Sequence, residues 1–482
     1  MRLLSRLDVR GLARRAAALR PRRRTGTVTL PEDDTADRER LRDLASLLCE
    51  LGSDLLRAAE RSSEVERTLH DVAARYGTRA RCFVVPTGLF VRVGGGPDGR
   101  GGELDFAPVE GPDLRLDQVE ALQALVGRML AEEVPFGEVR RALRENRERP
   151  DRFSPAATVF GYVLLTVGLG TMRHATVPAV AGYAVLGAGV GLLRLFGDRL
   201  PAARTALPVV TAILVTAAAL RWAGPLLHEN PAVLYIPPLI AFLPGAALTL
   251  GAIELATGAA LSGLSRLAGA LTVLLLLSLG ILVGSELLRP RPSGGKTAET
   301  LGHWAPWVGV LLLGFGFLLY FSAPPRVTGW LLGALLVERL VQSAASELAG
   351  AAFGAFAAGA VLPPMATWIE KRSRTPDQVV FLPCFWLLVP GAVGLTSVSE
   401  IIVEKDTGGG LNSLVGTVIT VAAIALGVLV GAGLQRRPRL MLGEPAPSTP
   451  EPVRDADRAE RRAQEPAEGL TGPAKAPGAA GG

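Results

Sequence analysis

The sequence predicts a polytopic α-helical membrane protein with about ten transmembrane helices, arranged as two inverted five-helix repeats behind a small soluble α+β domain. Three observations predict this class. Apolar runs such as Ala270–Val283 and Leu414–Leu434 carry almost no charge over lengths that approach a bilayer span. Motifs of the first half recur 146–147 residues later. Residues 37–149 are polar by comparison and alternate between helical and strand patterns.

The bulk composition agrees with a membrane protein and argues against several other classes. The chain is 49% hydrophobic, although both of its ends are rich in charge and proline. Its net charge of +6 is better explained by anionic lipids than by nucleic acid, because the excess lies in the N-terminal arm and in short loops. Three cysteines and four histidines are scattered, so neither a metal site, a cofactor nor a disulfide framework is expected. The sequence shows no convergent pair of a nucleophile and a base, which argues against an enzyme.

Five segments follow from these patterns. Residues 1–36 form a basic arm, which is either disordered or a basic amphipathic helix on an anionic membrane face. Residues 37–149 form the α+β domain, 154–290 the first five-span repeat and 301–436 the second. Residues 437–482, rich in proline, alanine and glutamate, are expected to be a disordered tail.

The α+β domain begins with an amphipathic helix, because leucines recur at three- and four-residue steps between Leu41 and Leu55. Strand patterns follow at 80–86, 89–93 and 103–109. The glycine-rich stretch Gly94–Gly99 lacks the Lys-Ser/Thr ending of a phosphate loop and is better explained as a hairpin loop. Cys82 is expected to be a buried structural thiol, and the domain is expected to be regulatory or structural rather than catalytic.

Ten apolar segments are long enough to be considered as spans, and prolines interrupt the fourth and the ninth. They lie at 156–172, 177–196, 206–227, 233–257, 266–288, 304–322, 327–345, 348–368, 380–403 and 412–434. Lysine and arginine are more frequent in the loops that share a side with the N-terminal domain, which places both termini in the cytoplasm of a multi-pass cytoplasmic membrane protein. The Ala/Arg/Gly/Pro bias suggests a high-GC bacterial genome.

The repeat is visible in three motifs. Leu243–Ala246 corresponds to Val389–Ala392, and an acid stands ten residues after each proline. Leu279–Gly284 corresponds to Leu426–Gly431 at a spacing of 147 residues, against 146 for the first pair. Two tandem copies of a unit with an odd number of spans cross the membrane in opposite senses, which is the architecture of many alternating-access transporters. A duplicated scaffold without transport is the alternative.

Eight residues are candidates for binding a substrate or a proton. Pro-Gly pairs break helices, and such breaks in a membrane mark either binding sites or packing kinks. A carboxylate inside a span usually has a proton, a cation or a substrate as partner, unless it lies at the interface and is simply solvated. Threonines on the same segments can bind substrate or their own backbone. The candidates are Pro244, Gly245, Thr249, Glu254, Pro390, Gly391, Thr396 and Glu400. Glu338, Arg339 and Glu347 are expected to be interfacial or paired.

The order of these parts resembles the threonine/serine exporter family: a soluble domain, a five-span unit with a Leu/Val-Pro-Gly motif and an acid ten residues on, and a second five-span unit. Leu47–Gly52, Glu64–Leu69 and Ala73–Gly77 are similar as well, and the resemblance covers about Leu41–Leu440. It implies efflux of small amino acids driven by the proton motive force. In that picture Glu254 and Glu400 bind a proton or the substrate ammonium, and the broken helix ends hold the carboxylate.

Two departures from the family pattern leave the substrate open. The first acid is Glu254 where the family usually has aspartate, and Leu250 stands where an asparagine is common. A dicarboxylate or another small metabolite is therefore an alternative cargo, and a membrane-anchored sensor or scaffold is an alternative function. The expected partners are a small-molecule substrate, protons and lipid, with no nucleic acid; the sequence leaves a homo-oligomer open.

Overall fold

A computed structural model of the chain describes residues 32–94, 102–197, 206–288, 299–373, 378–388, 394–397 and 407–435. Met1–Gly433 forms one compact unit. The second unit, Leu434–Gly482, contributes only the end of the last helix to the described residues. Nearly all of the predicted arm 1–36 and the whole of the predicted tail 437–482 lie outside the described ranges.

Residues 32–147, called the N-terminal domain below, fold into helices around one antiparallel sheet. The helices are α1 (Glu32–Arg57), α2 (Ser62–Arg75), α3 (Leu116–Ala131) and α4 (Phe136–Arg147). The strands are β1 (Ala80–Val85), β2 (Gly88–Val93) and β3 (Glu103–Pro108), in the order β1-β2-β3. The three predicted strands are thus confirmed to within one residue at each end.

The core of this domain explains its sequence pattern. The leucine stripe of α1 is buried and packs on β2 and β3, while α2 packs on β1. Gly94 ends β2 with a positive φ of +74°, and a Cβ there would lie 2.9 Å from Leu41 Cδ1. The backbone conformation therefore favours glycine, and a larger residue would also displace the end of the Leu41 side chain. The rest of the predicted hairpin loop, 95–99, lies outside the described residues.

The remainder of the described chain is almost entirely helical. Its helices are α5 (Pro155–Arg173), α6 (Val177–Gly197), α7 (Leu207–Leu227, with a π-helical segment at Ala219–Ala223), α8 (Pro231–Tyr235), α9 (Gly245–Ala256), α10 (Ala260–Leu287), α11 (Ala305–Tyr320), α12 (Thr328–Ala349), α13 (Ala351–Ser373), α14 (Gln378–Leu388) and α15 (Thr407–Gln435). Six of them are long and apolar enough to cross a membrane, and three shorter helices are also apolar. The chain is thus a polytopic helical membrane protein, while the count of ten spans stays a prediction.

Helices α5 and α11 pack against each other in antiparallel directions through glycines. A Cβ at Gly168 would lie 2.6 Å from the backbone nitrogen of Leu313, and one at Gly316 would lie 2.6 Å from that of Leu165. Near one end Gly168 also meets Gly309, while near the other Gly316 meets Gly161. Residues 161, 165 and 168 of α5 correspond to residues 309, 313 and 316 of α11, each 148 positions later. Exchanging corresponding residues converts the Gly168–Leu313 contact into the Gly316–Leu165 contact, and the Gly168–Gly309 contact into the Gly316–Gly161 contact. Small residues allow this close approach of two membrane helices.

A second helix pairing occurs once in each half. A Cβ at Gly280 would lie 2.7 Å from the carbonyl oxygen of Val209, and one at Gly284 would lie 2.8 Å from that of Ile213, so α10 meets the backbone of α7. In the other half Gly427 and Gly431 of α15 meet the carbonyls of Phe356 and Ala360 on α13. All four partners of this second pairing lie 147 residues after their counterparts. The repeated sequence motif therefore makes the same contact twice.

Candidate functional site at the broken fourth span

The fourth predicted span is interrupted by its prolines. Helix α8 ends at Tyr235, a 3₁₀ segment covers Pro237–Phe242, Leu243 is extended with ψ of 124°, and α9 starts at Gly245. Proline cannot donate a backbone hydrogen bond, so Pro237, Pro238 and Pro244 together prevent a continuous helix. The interruption leaves carbonyl groups of the 3₁₀ segment and the first N–H groups of α9 without helical partners.

Two side chains from neighbouring helices satisfy carbonyls at this break. The hydroxyl of Tyr162, on α5 and fully buried, donates to the Pro238 carbonyl at 2.7 Å. The guanidinium of Arg194, at the end of α6, donates to the Ala241 carbonyl at 3.4 Å. Arg194 also lies over the ring of Phe242, 4.9 Å from its centroid. The break is therefore held by protein groups on the carbonyl side.

The predicted residues on α9 have different surroundings. Pro244 precedes the helix and its carbonyl accepts from Leu248 N, so Gly245 lies in the first turn. Thr249 is fully buried, and its hydroxyl donates to the Gly245 carbonyl at 3.1 Å. Thr249 thus bonds its own helix, which is the alternative that the sequence left open. Glu254 lies nine residues after Gly245, about 14 Å further along the axis.

Glu254 is buried against the N-terminal domain rather than solvated. Its side chain is 1% exposed, its Oε2 lies 3.0 Å from Arg266 Nε, and its Oε1 accepts from the backbone N–H of Ser62 at 2.9 Å. Arg266 also donates to the Glu60 carbonyl at 2.8 Å. Because Ser62 is the first residue of α2, the carboxylate meets the positive end of that helix.

Three further contacts join the N-terminal domain to the bundle on the same side, called the docking face below. Ser262 of α10 donates to the Val84 carbonyl at 3.2 Å. The backbone N–H of Leu116 donates to the Phe321 carbonyl at 3.1 Å, at the end of α11. Arg326 forms an ion pair with Glu120. The domain therefore contacts both halves of the bundle, with Glu254 in the first half and Phe321 and Arg326 in the second.

A further carboxyl of the N-terminal domain lies within electrostatic range of this zone. Asp113 keeps access to solvent, yet the dense protein around it raises the pKa of its carboxyl above the ordinary value. The guanidinium groups of Arg57, Arg266 and Arg194 act in the opposite direction, in that order. Arg266 and Arg194 belong to the bundle, so the bundle places positive charge near the Asp113 carboxyl of the N-terminal domain.

The second predicted site is described only in part. Pro390, Gly391 and Glu400 lie outside the described residues, so their prediction stands as made from the sequence. Thr396 lies in a helical turn at 394–397 and is partly buried. The neighbouring Ser397 is buried, with its hydroxyl 3.3 Å from that of Thr417 on α15.

Two buried acids were not among the candidate site residues predicted from the sequence. Glu229, 2% exposed, lies at the end of the bundle opposite the docking face, where Thr176 donates to it and His174 Nε2 lies 3.2 Å from its Oε2. Its partners lie more than fifty residues away in the chain, so no local spacing could reveal the cluster. No group of three metal-ligating side chains occurs among the residues that the structure describes.

Glu338 is the second of these acids, and the expectation that it is interfacial or paired was wrong. It lies in the middle of α12 and is fully buried. Among the described residues neither carboxylate oxygen accepts from a nitrogen or an oxygen, and the neighbouring hydrogen-bonding group is the thiol of Cys384. The charged neighbours Arg339 and Glu347 on the same helix suggested an acid at the interface or in a pair. Glu347 is exposed, near the end of α12.

Comparison with known families gives one match. Residues 46–288 match the model of the family described as "Putative threonine/serine exporter" (ThrE), so the match covers most of the N-terminal domain and the first half of the bundle. Searches of curated proteins and of solved structures found no match.

Proposed function

Because the chain belongs to the threonine/serine exporter family, we propose that it exports threonine and serine across the cytoplasmic membrane, driven by the proton motive force. Membership points to a transporter of a small molecule in a bilayer rather than to an enzyme. The family match is the observation that carries the proposal. The choice of cargo and of driving force goes beyond that match and rests on the arguments below.

The proposed architecture is a pair of inverted five-span repeats. The exchange of contacts between Gly168–Leu313 and Gly316–Leu165 supports it, because such an exchange is what a two-fold axis in the membrane plane produces between antiparallel helices. The equivalent pairings of α7 with α10 and of α13 with α15 support it as well. Inverted repeats provide two alternative packings of similar energy, from which alternating access follows.

We propose that the docking face is cytoplasmic and that both termini lie inside. The Lys/Arg bias of the loops supports this orientation. The residues on this side under the proposal are Arg194, Arg199, Arg204, Arg266, Arg326, Lys371, Arg372, Arg374, Arg436, Arg437 and Arg439. The N-terminal domain then covers the cytoplasmic entrance and contacts both repeats, so its release is part of opening the bundle to the cytoplasm.

The broken helices are proposed to bind the amino acid. The first N–H groups of α9, after Pro244 and Gly245, suit the substrate carboxylate because a helix start attracts anions. Pro390, Gly391 and Thr396 supply the corresponding break of the second repeat. Carbonyls on the other side of the first break are engaged by Tyr162 and Arg194, which supports a break that keeps its shape while substrate comes and goes.

Glu254 is proposed as a proton-sensitive latch between the bundle and the N-terminal domain. Protonation of its carboxylate removes the charge on which both the ion pair with Arg266 and the contact with the start of α2 depend. The latch would then open, and the cytoplasmic side with it. Glu400, ten residues after Pro390, is proposed for the equivalent place at the other end of the second repeat.

The test uses cells that lack the gene and the same cells carrying the full chain. Both are loaded with a threonine-containing dipeptide, which peptidases cleave inside, and threonine efflux is followed with and without an uncoupler. The proposal predicts efflux that requires the chain and that the uncoupler abolishes. Equal efflux from the two strains would refute threonine export. Chain-dependent efflux of succinate in place of threonine would favour the dicarboxylate alternative, and a chain that moves neither would favour the sensor or scaffold.

A further inference from the structure

Glu338 lies in the middle of α12, the helix that covers the seventh span predicted from the sequence. Helix α12 runs from Thr328 to Ala349, so Glu338 lies about 15 Å from its start and about 16 Å from its end. Since the hydrocarbon core of a bilayer is about 30 Å thick, this places the carboxyl near the midplane if the helix spans the membrane. The side chain is fully buried in the protein rather than facing lipid.

The carboxyl has no charged partner among the described residues. Neither oxygen accepts a hydrogen bond from a nitrogen or an oxygen of the described residues. Arg339, the adjacent residue, points elsewhere on the helix and donates to Gln342 Oε1 at 3.3 Å. On α14 the thiol of Cys384, also fully buried, lies beside the carboxyl. A thiol is a weak donor and offers no charge to balance a carboxylate.

The other elements packed against α12 carry their titratable groups at their ends. Helix α11 has only Tyr320, at its last position, and the 3₁₀ turn Pro325–Val327 has Arg326, which pairs with Glu120 of the N-terminal domain. Helix α13 carries Glu370, Lys371 and Arg372 in its last turns. Among the described residues, therefore, the helices packed against α12 bring no charged side chain to the middle of that helix, and Cys384 is the titratable group beside Glu338.

A carboxyl that served only to hold helices together would have hydrogen-bond partners, as Glu254 does. Burial of an ionised carboxylate without a partner is strongly unfavourable, so at this place the group must carry a proton or meet a mobile cation. Both species can occupy the same two oxygens, one at a time. An ionisable residue without a charged partner inside a membrane span is by default a candidate for a functional site.

We propose that Glu338 is the intramembrane carboxyl at which the exporter exchanges a proton for the ammonium group of its substrate. The inference rests on the proposed function and assigns its coupling step to a residue that the family match, which ends at residue 288, does not cover. In the exchange the protonated carboxyl releases its proton and the resulting carboxylate binds R–NH₃⁺. When the ammonium leaves, the carboxylate takes up a proton from the other side, so no unpaired charge stays buried.

The two repeats differ at the position of Glu338. The residue 147 positions before Glu338 is Gly191 on α6, where a Cβ would lie 3.2 Å from Tyr162 Cβ. The first repeat thus has no acid at the equivalent place, and a side chain there would be in tight contact with Tyr162. One carboxyl then serves both access states, which is what exchange at a single site between two repeats requires.

The experiment labels the carboxyl directly in the full-length chain, purified and reconstituted into liposomes. Dicyclohexylcarbodiimide is apolar and adds to protonated carboxyl groups within membranes, and the adduct is located by mass spectrometry. A water-soluble carbodiimide with glycine ester serves as the comparison reagent. The matched control residue is Glu347, an exposed acid on the same helix. Labelling is followed from about pH 5 to about pH 9, alone and with L-threonine or N-acetylthreonine.

We expect the apolar reagent to modify Glu338 and the water-soluble reagent to modify Glu347. Modification of Glu338 should decrease as pH rises, and L-threonine should lower it whereas N-acetylthreonine, which has no ammonium, should not. Absence of the adduct throughout the pH range overturns the assignment. If L-threonine does not suppress the adduct, Glu338 binds a proton but not the substrate ammonium, and the proposed exchange is overturned.

Transport by variants separates this inference from the proposed function. Glu338→Gln should fold, because it removes a buried charge and keeps the side-chain shape, and should abolish the uncoupler-sensitive efflux. Glu338→Asp should restore part of it, and Glu347→Gln should behave as wild type. Unchanged, uncoupler-sensitive threonine efflux by Glu338→Gln would overturn the inference while leaving the exporter intact. Lack of threonine efflux by the wild-type chain would instead refute the proposed function.

Discussion

The ion pair between Glu254 and Arg266 offers a quantitative test of how the N-terminal domain is held on the bundle. The two side chains are 1% and 11% exposed, so the pair is shielded from water. Replacement of Arg266 by methionine removes the cation and leaves the Glu254 carboxylate buried with only the Ser62 N–H as partner. Breaking a buried pair in this way costs about 3–5 kcal/mol, and we take the lower end because that N–H contact persists.

The consequence is local opening of the contact zone. Because 1.4 kcal/mol corresponds to a factor of ten in an equilibrium constant, about 3 kcal/mol raises the open population about a hundredfold. Hydrogen exchange of the full-length chain in detergent, followed by mass spectrometry, should therefore show about a hundredfold faster exchange at the start of α2 in Arg266→Met. Peptides from α1 serve as control, since α1 belongs to the core of the domain and should exchange as in the wild type when the domain undocks without unfolding.

The double variant Glu254→Gln with Arg266→Met distinguishes an unpaired buried charge from lost packing as the cause of faster exchange. It removes both charges and should return exchange to within about tenfold of the wild type, because replacing a buried pair by neutral groups costs little. If the double variant exchanges as fast as Arg266→Met alone, lost packing rather than an unpaired charge is responsible. If neither variant changes exchange at Ser62, the ion pair does not hold the domain and the reasoning fails.

Three other predictions follow from the described contacts. Gly431→Val should destabilise the bundle by about 1–3 kcal/mol, because the new side chain would meet the Ala360 carbonyl. The measurement is thermal unfolding in detergent, and Gly433→Val, at a position with open space, is the control. Tyr162→Phe leaves the buried Pro238 carbonyl without its donor and should cost about 1–3 kcal/mol in the same assay; an unchanged midpoint would contradict that hydrogen bond. Burial raises the pKa of the Cys49 thiol to about 12, so Cys49 should stay protonated and resist iodoacetamide at neutral pH until the domain unfolds; rapid alkylation of the native chain would contradict this.

The sequence predicted the parts of the fold that depend on local patterns. The leucine stripe of α1, the strands of the sheet and the glycine motifs at Gly280–Gly284 and Gly427–Gly431 lie where their periodicity indicated, since these features are properties of short segments. The interruption at Pro244 was likewise predictable, because proline has no backbone N–H to donate to a helical hydrogen bond.

The site was less accessible to sequence reasoning, because its partners are distant in the chain. Glu254 meets Ser62, 192 residues earlier, so an acid expected in a substrate path turned out to face the N-terminal domain. Glu338 was expected to be interfacial or paired because of its charged neighbours, and only the packing of α11, α13 and α14 around it reveals that it is buried with no charged partner among the described residues. Burial of a side chain depends on which helices pack together, and periodicity within one helix does not give that.

Transport by the purified chain tests the central claim most directly. The full-length protein is reconstituted into liposomes loaded with L-threonine, and release is measured after the external medium is made more acidic than the lumen. The account predicts that the inward proton gradient accelerates threonine release, that an uncoupler removes the acceleration, and that Glu338→Gln lacks it while Glu347→Gln retains it. Threonine release at the rate of protein-free liposomes, with or without the gradient, would contradict it.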